Sequence, residues 1–361
     1  MKNILVISMA GIGDTILATP LIHELRANFP QARIDALVLW AGSKDILEGN
    51  PHLNHIYQRN LLKQTRLESL RFLLSVRKNR YDLSLNTHPQ SRRAYRVIAR
   101  IIGAPLRISH VYDSSGAADR LLVNRTLAQD YTRHSVDLNL DILRRLDKKP
   151  VLPGHQLELY LSPQDESWAA SFLVSHQLQG RQILGLHAGS GGTKNLALKR
   201  WPLEQYIRLV ATMRQARPDL AVLLFGGPDE ESEIQKVLSA NPSPLVIRVP
   251  SRSLREAGAL MKLCSVFLSV DTALMHIAAA VKTPRQIVIE AFTLNKTNEP
   301  FGNPYTLIPN PAIAGRNLEY YKYDGLGIKG ATEDLVRMMG AVTVDAVSNA
   351  IQKALGCAAS H

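Results

Sequence analysis

Short apolar segments alternate with amphipathic segments along most of this 361-residue chain. Residues 2–8 form an apolar run, which is followed by a glycine turn, an amphipathic stretch over residues 14–28 and a second apolar run over residues 33–39. The same pattern resumes at residues 183–187 and continues through residues 221–225. Repeated strand, turn and helix units of this size predict parallel sheets covered by helices on both faces. The sequence therefore predicts an α/β fold built from doubly wound, Rossmann-like domains.

A chain of this length exceeds one ordinary hydrophobic core, so two domains are expected. The alternating pattern is interrupted over residues 148–163 by three prolines and a glycine. We therefore place one domain over residues 1–160 and a second over residues 161–330. Residues 331–361 have helical periodicity and form a C-terminal tail that can pack back on the first domain.

The composition is that of a globular protein, with 45% hydrophobic and 20% charged residues. The sequence has no apolar stretch of about 18 residues that could span a bilayer, and its apolar start is too short for a secretion signal. We therefore expect a cytoplasmic protein. The two cysteines, Cys264 and Cys357, give neither a disulfide framework nor metal-ligand spacing. No metal and no cofactor are accordingly expected.

Basic residues are concentrated in the first domain, which carries 23 lysines and arginines against 14 acidic residues. Within it, residues 59–107 contain twelve basic and two acidic residues. Arg92, Arg96 and Arg100 recur at every fourth position, so a helix over residues 90–102 would align them in one cationic stripe. Such a stripe attracts polyanions, although it can also serve only as a solvated face.

The aromatic residues of this basic region help to decide which class of polyanion it binds. Only Phe72, Tyr81 and Tyr95 are interleaved with the basic residues, and no nucleic-acid-binding signature is present. Nucleic acid is therefore not an expected partner. An anionic membrane surface or an anionic glycolipid fits at least as well, because basic amphipathic helices bind such surfaces without spanning them.

A glycine turn follows the first predicted strand. Gly11-Ile12-Gly13-Asp14 supplies the pattern G-x-G, but the third glycine of a dinucleotide fingerprint is missing. Asp14 lies directly after this turn, at the predicted start of a helix. Two interpretations are open: Asp14 is an N-cap that holds the helix, or it is a carboxylate that takes a proton from a hydroxyl nucleophile.

The loop that follows the first strand of the second domain is rich in glycine and hydroxyl groups. Its glycines, Gly189 among them, allow a backbone to approach a ligand closely, and Ser190 and Thr193 offer hydroxyls. Lys194 and Lys199 add positive charge, while the P-loop pattern G-x-x-x-x-G-K-[ST] is absent. The loop is a candidate phosphate cradle, with the alternative that either lysine is only solvated.

The segment over residues 269–280 joins a strand-like apolar run to an apolar helix. Asp271, Thr272 and His276 lie around the first turn of that helix. A strand-to-helix junction directs backbone N–H groups and the positive end of a helix dipole at one point, which suits a phosphate. Asp271 or Thr272 can cap this helix. The alternative to a ligand site is that Asp271 only caps the helix and His276 only packs.

Together these motifs resemble those of the family 9 glycosyltransferases, the heptosyltransferases that extend the inner core of lipopolysaccharide. The matching segments occur in the family's order and are Gly11-Ile12-Gly13-Asp14 with Ala18-Thr19-Pro20-Leu21, His187-Ala188-Gly189 with Lys199-Arg200-Trp201-Pro202, Phe225-Gly226-Gly227-Pro228-Asp229-Glu230, and Asp271-Thr272-Ala273-Leu274-Met275-His276-Ile277-Ala278. The resemblance implies a GT-B type fold, in which two Rossmann-like domains face a central cleft. It also implies an inverting, metal-independent transfer of a heptose from an ADP-sugar to a sugar hydroxyl.

The resemblance assigns roles to individual residues. Asp14 matches the proposed general base, and Lys199 matches the lysine at the donor phosphates. The first domain is then the acceptor-binding domain and the second the nucleotide-sugar-binding domain. The residues expected to bind the substrates are Gly189, Ser190, Lys199, Glu230, Asp271, Thr272, Ala273, Leu274 and His276 for the nucleotide-sugar donor, and Gly13, Arg59, Arg92, Arg93 and Arg96 for an anionic glycolipid acceptor.

Some positions depart from the family pattern. Ala273 stands where the family usually has glycine, residues 290–302 replace a short loop, and the register near the nucleoside leaves Glu230 and Asp229 as alternatives. Peripheral contact with the inner membrane surface is left open. Two other function classes also stay open: another nucleotide-sugar enzyme of the same fold, such as an epimerase, and a binding protein that acts through its basic surface.

Overall fold

The computed structural model describes residues 1–192 and 195–357. Within these residues the chain forms two compact units. The first contains Met1–Tyr160 together with Tyr323–Gly325, and the second contains Leu161–Lys322 and the residues from Leu326 onward. The chain passes from one unit to the other at the end of the proline-containing stretch.

The first unit is built around a parallel sheet of six strands. Its elements are β1 (Asn3–Ser8), α1 (Ile12–Ile16), α2 (Thr19–Asn28), β2 (Arg33–Val38), α3 (Ala41–Leu47), β3 (His55–Gln58), α4 (Arg66–Arg77), β4 (Leu83–Asn86), α5 (Arg93–Ile102), β5 (Leu106–Val111), α6 (Asp119–Leu122), β6 (Arg125–Ala128) and α7 (Ser135–Leu140). The strand order is β3-β2-β1-β4-β5-β6. Leu5 and Ile7 of β1 are fully buried and share a core cluster with Leu73 and Val76 of α4. The apolar run of β1 thus reflects a strand whose side chains are covered by helices.

Residues 14–28, which the sequence predicts as one helix, belong to two. The first helix, α1, begins at Ile12 and ends at Ile16, and α2 begins at Thr19. Pro20 has no N–H and cannot continue the hydrogen bonding of the first helix. The Thr19 hydroxyl donates instead to the Ile16 carbonyl at 2.7 Å. The prediction of a single helix is wrong because the proline starts a second one.

The second unit is built around another parallel sheet of six strands. Its elements are α8 (Pro163–Ser175), β7 (Ile183–His187), α9 (Leu203–Ala216), β8 (Ala221–Phe225), α10 (Glu231–Ala240), β9 (Val246–Arg248), α11 (Leu254–Met261), β10 (Val266–Ser269), α12 (Ala273–Ala280), β11 (Gln286–Ile289), β12 (Tyr305–Ile308), α13 (Asn317–Tyr320), α14 (Thr332–Met339) and α15 (Val344–Cys357). The strand order is β12-β11-β10-β7-β8-β9. Counted from the first strand of each unit, this is the order of the first sheet, and it is the Rossmann order.

The C-terminal tail belongs to the second unit. Its last helix, α15, packs against α9 and against strands β10, β11 and β12. The indole N–H of the buried Trp201 donates to the Val342 carbonyl at 2.9 Å, between α14 and α15. The sequence left open that this tail packs on the first domain, whereas in the structure it belongs to the second.

Candidate active site

The carboxyl ends of β7 and β10 are neighbours in the second sheet. The strand order reverses between these two strands, and doubly wound sheets bind ligands outside the carboxyl ends of the strands at such a point. His187 is the last residue of β7, and Asp271 follows the end of β10. The loops after both strands therefore bring polar side chains to one place.

Lys199 is held inside this region of the second unit. It ends a 3-10 turn, Leu196–Lys199, and is only 6% exposed. Its Nζ lies 3.2 Å from Oδ2 of Asp271. An ammonium group that loses water needs a charged or hydrogen-bonding partner, which Asp271 supplies. The interpretation of Lys199 as a solvated lysine is therefore wrong.

Asp271 is a buried carboxylate that stays ionised. Burial raises its pKa, but the charges of Lys199 and His276 and the hydroxyl of Thr293 outweigh burial, so the pKa of Asp271 lies below its usual value. The Thr293 hydroxyl donates to the same carboxylate oxygen that pairs with Lys199. The sequence did not predict Thr293 as a site residue, and the only signal was its place after β11, a strand next to β10.

The imidazole of His187 lies between groups that follow two other strands. Its Nδ1 is 3.2 Å from the Thr272 hydroxyl, which follows β10. Its Nε2 is 3.6 Å from Oε1 of Glu230, in the turn that follows β8. His187 thus connects the ends of β7, β8 and β10, so its ring orientation is fixed from both sides.

Glu230 is packed directly against the loop that follows β7. Burial raises its pKa, but His187, the backbone N–H of Gly227 and the charge of Arg200 lower the pKa of Glu230 below its usual value. The Gly227 N–H donates to Oε2 at 2.7 Å. A Cβ atom built on Gly189 would overlap the carboxyl group of Glu230. Gly189 is therefore required by the close approach of this carboxylate.

Arg200 organises the loop and was not among the predicted site residues. Its guanidinium donates to Oε1 of Glu233 at 2.8 Å and to the Ser190 carbonyl at 2.9 Å. The Ser190 hydroxyl donates to the Leu196 carbonyl at 2.9 Å, so it shapes the loop from within. The sequence signal for Arg200 was its position next to Lys199 in the matched motif. Two further predicted loop residues, Thr193 and Lys194, lie outside the described residues.

The start of α12 carries no side-chain cap. Thr272 is the N-cap residue by its extended backbone, but its side chain makes no capping hydrogen bond and contacts His187 instead. The prediction that Asp271 or Thr272 caps the helix with its side chain is wrong, because both side chains have other partners. Ala273 and Leu274 in the first turn are half-buried, and His276 is buried. The positive end of the helix dipole is thus left for another acceptor.

Asp14 lies at the corresponding edge of the first unit, in the helix that follows β1. It is the third residue of α1 and is half-exposed. Its Oδ2 accepts the backbone N–H of Gly11 at 2.6 Å. Gly11 and not Asp14 is therefore the N-cap residue, and Asp14 supports the helix start from inside the first turn. Gly13 precedes it and is half-buried.

The predicted cationic stripe on α5 is wrong. The helix begins at Arg93, so Arg92 precedes it, and Arg96 is only 1% exposed. Nε of Arg96 donates to Oδ1 of Asp119 at 2.7 Å. A buried guanidinium requires such a carboxylate. The four-residue spacing predicts Arg96 and Arg100 on one exposed face. In the structure, Asp119 on α6 instead holds Arg96 in the interior.

The remaining predicted acceptor residues lie on different elements of the first unit. The Arg59 guanidinium lies 5.3 Å from the centre of the Phe72 ring. Arg92 donates to the Gly325 carbonyl at 3.2 Å. Arg93 is exposed, and its Nε lies 3.5 Å from the Asp119 carboxylate. The structure thus groups Arg93 with Arg96 at one acid and places Arg59 elsewhere, after β3.

Comparison with known proteins identifies the family. A model of glycosyltransferase family 9 (heptosyltransferase) matches residues 69–312. The chain belongs to this family. It is 25% identical to lipopolysaccharide heptosyltransferase 3 of Escherichia coli K12 over 299 residues, which are 81% of this chain and 83% of that protein.

Solved structures confirm the predicted GT-B type α/β fold of this family 9 glycosyltransferase. A family 9 glycosyltransferase from Veillonella parvula superposes with a TM-score of 0.76 at 20% identity, covering 98% of this chain and 97% of that one. The E. coli structure described as ADP-heptose lps heptosyltransferase II gives a TM-score of 0.71 at 20% identity and covers 98% of each chain.

One group of metal-ligand side chains occurs among the described residues of this family 9 enzyme. The group consists of His23, His52 and Glu158 in the first unit, whose ligand atoms lie within 4.8 Å of one another. These atoms already have hydrogen-bond partners: Nδ1 of His23 is 2.7 Å from Glu158, and Nε2 of His52 is 3.0 Å from the Tyr160 hydroxyl. His52 precedes β3, so the group does not belong to the carboxyl edge where Asp14 lies.

Proposed function

We propose that this family 9 enzyme transfers a heptose from ADP-heptose to a sugar hydroxyl of the lipopolysaccharide inner core, with inversion and without a metal ion. The names of its relatives support these substrates, since one is a lipopolysaccharide heptosyltransferase and another is described by ADP-heptose. The observation that carries the proposal is the buried ion pair of Lys199 and Asp271 beside the uncapped start of α12.

The donor diphosphate binds at the carboxyl edge of the second sheet. The Lys199 ammonium has three N–H donors, and one of them faces Asp271, so it retains donors for phosphate oxygens. Backbone N–H groups at the start of α12 and the positive end of its dipole favour the same anion. The ion pair with Asp271 fixes the position of the Lys199 ammonium before the donor arrives.

Loss of the nucleotide requires stabilisation of the diphosphate's growing negative charge. Lys199 and the α12 N–H groups act on that charge in a buried region, where their effect exceeds what it would be in water. The Asp271 carboxylate repels the phosphate less than an unpaired carboxylate would, because Lys199 and Thr293 donate hydrogen bonds to it. Asp271 is accordingly a positioning residue for Lys199.

Asp14 is the general base of the proposed reaction. The acceptor hydroxyl passes its proton to the Asp14 carboxylate while its oxygen attacks the anomeric carbon of the heptose. The bond from that carbon to the diphosphate oxygen breaks in the same displacement, and ADP leaves with the electron pair. Attack from the face opposite the leaving group inverts the anomeric configuration. The half-exposed position of Asp14, in the helix that follows the first strand, suits a carboxylate that must meet an external hydroxyl.

The test is a transfer assay with ADP-heptose and a heptose-deficient lipopolysaccharide acceptor in the presence of EDTA. We expect ADP release coupled to a new glycosidic linkage, whose anomeric configuration, read by NMR, is opposite to that of the donor. Release of ADP without a linked product would contradict transfer, and a retained configuration would contradict direct displacement. Conversion of the sugar nucleotide without any acceptor would favour the epimerase alternative. UDP- and GDP-sugars in the same assay test the choice of nucleotide.

A further inference from the structure

The helix α4 exposes large apolar side chains. Leu67, Leu70 and Leu74 on this helix are 56%, 41% and 44% exposed, and Leu62 in the preceding 3-10 turn is 66% exposed. Scattered exposed leucines need no explanation. Four within thirteen consecutive positions form a surface that water does not favour.

The three leucines of α4 share one face of the helix. Positions 67, 70 and 74 are spaced by three and four residues, so they lie along one stripe. The opposite side of α4 packs into the sheet core through Leu73 and Val76. The leucine stripe is therefore an apolar surface distinct from the one that folding requires.

Cationic residues border the leucine stripe on both sides. With 3.6 residues per turn, Arg66 and Arg77 fall along one edge of the stripe, and Arg71 and Lys78 fall along the other. All four side chains are exposed. The acid of this helix, Glu68, is engaged at the helix start, where it accepts the N–H and hydroxyl of Thr65. We refer to the three leucines with these four cations as the α4 face.

We propose that the α4 face docks the protein on an anionic lipid bilayer. The leucines enter the boundary between headgroups and acyl chains, and Arg66, Arg71 and Lys78 reach the lipid phosphates from either side. Arg77 donates to the Ile101 carbonyl at 3.1 Å and adds its charge from that position. This arrangement of apolar centre and cationic borders is typical of helices that lie in a membrane interface. Among residues 1–192 and 195–357 no helix has both the length and the apolar character to cross a bilayer.

The cations and the exposed leucines of the α4 face together favour a lipid bilayer over a soluble polyanion. A soluble polyanion would use the cations but would leave the leucines in water. A lipid surface uses both, because anionic headgroups attract the cations and the acyl boundary accepts the leucines. The inference rests on the proposed function, since an acceptor carried in a membrane would be met by an enzyme held at its surface.

Vesicle flotation without any sugar substrate tests the docking directly. Vesicles of phosphatidylglycerol with phosphatidylethanolamine should carry the full-length protein upward, and vesicles of phosphatidylcholine should not. The triple variant Leu67→Ser, Leu70→Ser, Leu74→Ser should weaken binding to the anionic vesicles by about tenfold or more. The matched control Leu263→Ser, which alters an exposed leucine of the second unit, should bind as the unaltered protein does.

A second variant tests the cations without touching an apolar residue. Arg66→Gln, Arg71→Gln, Lys78→Gln should also reduce vesicle binding by more than about tenfold, because each cation near an anionic surface contributes to affinity. Added salt should weaken binding of the unaltered protein. Binding that is unchanged in either triple variant, or equal on neutral vesicles, would overturn the proposal. A dimer in solution that the leucine variant abolishes would assign the face to self-association instead.

Transfer to a delipidated acceptor separates this inference from the proposed function. The leucine variant should retain the turnover of the unaltered protein on that soluble acceptor and lose it selectively on vesicle-bound acceptor. Equal turnover of both proteins on vesicle-bound acceptor would contradict docking through this face. If neither protein transfers heptose to any acceptor, the proposed function fails, while the flotation results still decide the docking.

Discussion

The two units have the same strand order and present different chemistry at the same position. In the second unit, the edge beyond β7 and β10 is filled by paired charges, with Lys199 against Asp271 and Arg200 against Glu233. In the first unit, the edge beyond β1 carries Asp14 on a short helix, half-exposed. The shared topology thus fixes where a ligand can bind, and the loops after the strands determine what is bound.

This difference matches two different tasks. Binding a diphosphate requires cations held in place before the ligand arrives, which buried pairing with carboxylates achieves in the second unit. Accepting a proton from an incoming hydroxyl requires a carboxylate that the hydroxyl can reach. The proposed function accordingly assigns the donor and its leaving group to the second unit, and the acceptor to the first. Binding of the diphosphate by the first unit, or proton transfer to a carboxylate of the second, would contradict the proposed mechanism.

The largest effect is expected at Asp14. Asp14→Asn should lower kcat by about 10²- to 10⁴-fold, because the amide cannot take the proton of the acceptor hydroxyl. Asparagine still offers an oxygen to the Gly11 N–H, so the helix start is preserved. ADP affinity, measured by calorimetry, should be unchanged, and the control Glu48→Gln, at an exposed acid of the same unit, should keep full turnover. Turnover retained in Asp14→Asn would leave this residue with its structural role alone.

The next effect is expected at the ion pair of the second unit. Lys199→Met removes the charge at similar length, so ADP affinity should fall by about tenfold or more. The unfolding free energy should fall by about 3 kcal/mol, because the buried Asp271 loses its partner. The double variant Lys199→Met with Asp271→Asn should regain much of this stability without regaining ADP affinity.

The exposed Lys236 gives a matched control for that pair, and Lys236→Met should alter neither quantity. ADP affinity that survives in Lys199→Met would place the diphosphate elsewhere. Stability that is not regained in the double variant would show that Asp271 has a structural role beyond its pairing with Lys199.

The sequence could predict features of single segments but not contacts between distant segments. Strands β7 and β8 have the predicted bounds because both are short, mainly apolar and buried segments followed by glycine-containing loops. Local motifs also placed Lys199 and Asp271 in the segments that follow β7 and β10. Their pairing was not predictable, since 72 residues separate them and only the packing of the sheet brings them together.

Sequence reasoning failed where a distant partner determines the position of a side chain. The spacing of Arg96 predicted an exposed stripe, but Asp119, 23 residues later, holds it in the interior. Thr293 belongs to a segment without the family's usual pattern, so no motif indicated its contact with Asp271. Helix periodicity describes one element at a time, whereas burial of a charge depends on the element packed against it.

A smaller effect is expected at Gly189. Gly189→Ala adds a methyl group where the Glu230 carboxyl lies, so the unfolding free energy should fall by about 1–3 kcal/mol. Glu230→Ala removes the overlap, and in that background the same glycine substitution should have little effect. Chemical denaturation of the two single variants and the double variant measures this coupling. Additive effects would show that the carboxylate can move aside, and the loop after β7 would then be less rigid than the paired charges suggest.

An effect of similar size to that at Gly189 distinguishes the two units by pH. Burial lowers the pKa of His110 in the first unit to about 4, although the Leu138 backbone and Asp141 oppose the shift. Above the ordinary histidine pKa of 6.5, folded and unfolded chains both hold His110 neutral, so its contribution to stability is fully present. As the pH falls from 6.5 toward 4, the unfolded chain takes up a proton that the folded chain does not, and stability is lost. Between pH 7 and pH 5 the loss should be about 2 kcal/mol.

In the second unit, the pKa values of Asp271 and Glu230 are lowered, because the charges and donors around them outweigh burial. Their contribution is therefore retained down to about pH 4 and lost only as the pH falls through their folded values. Hydrogen exchange at pH 7 and pH 5 should consequently show weakened protection in the first sheet and little change in the second. His110→Gln should reduce the pH effect, and His55→Gln, at an exposed histidine of the same unit, should leave it intact. Equal loss of protection in both sheets would mean that the units unfold together, and the contrast in their charged groups would then not control their separate stabilities.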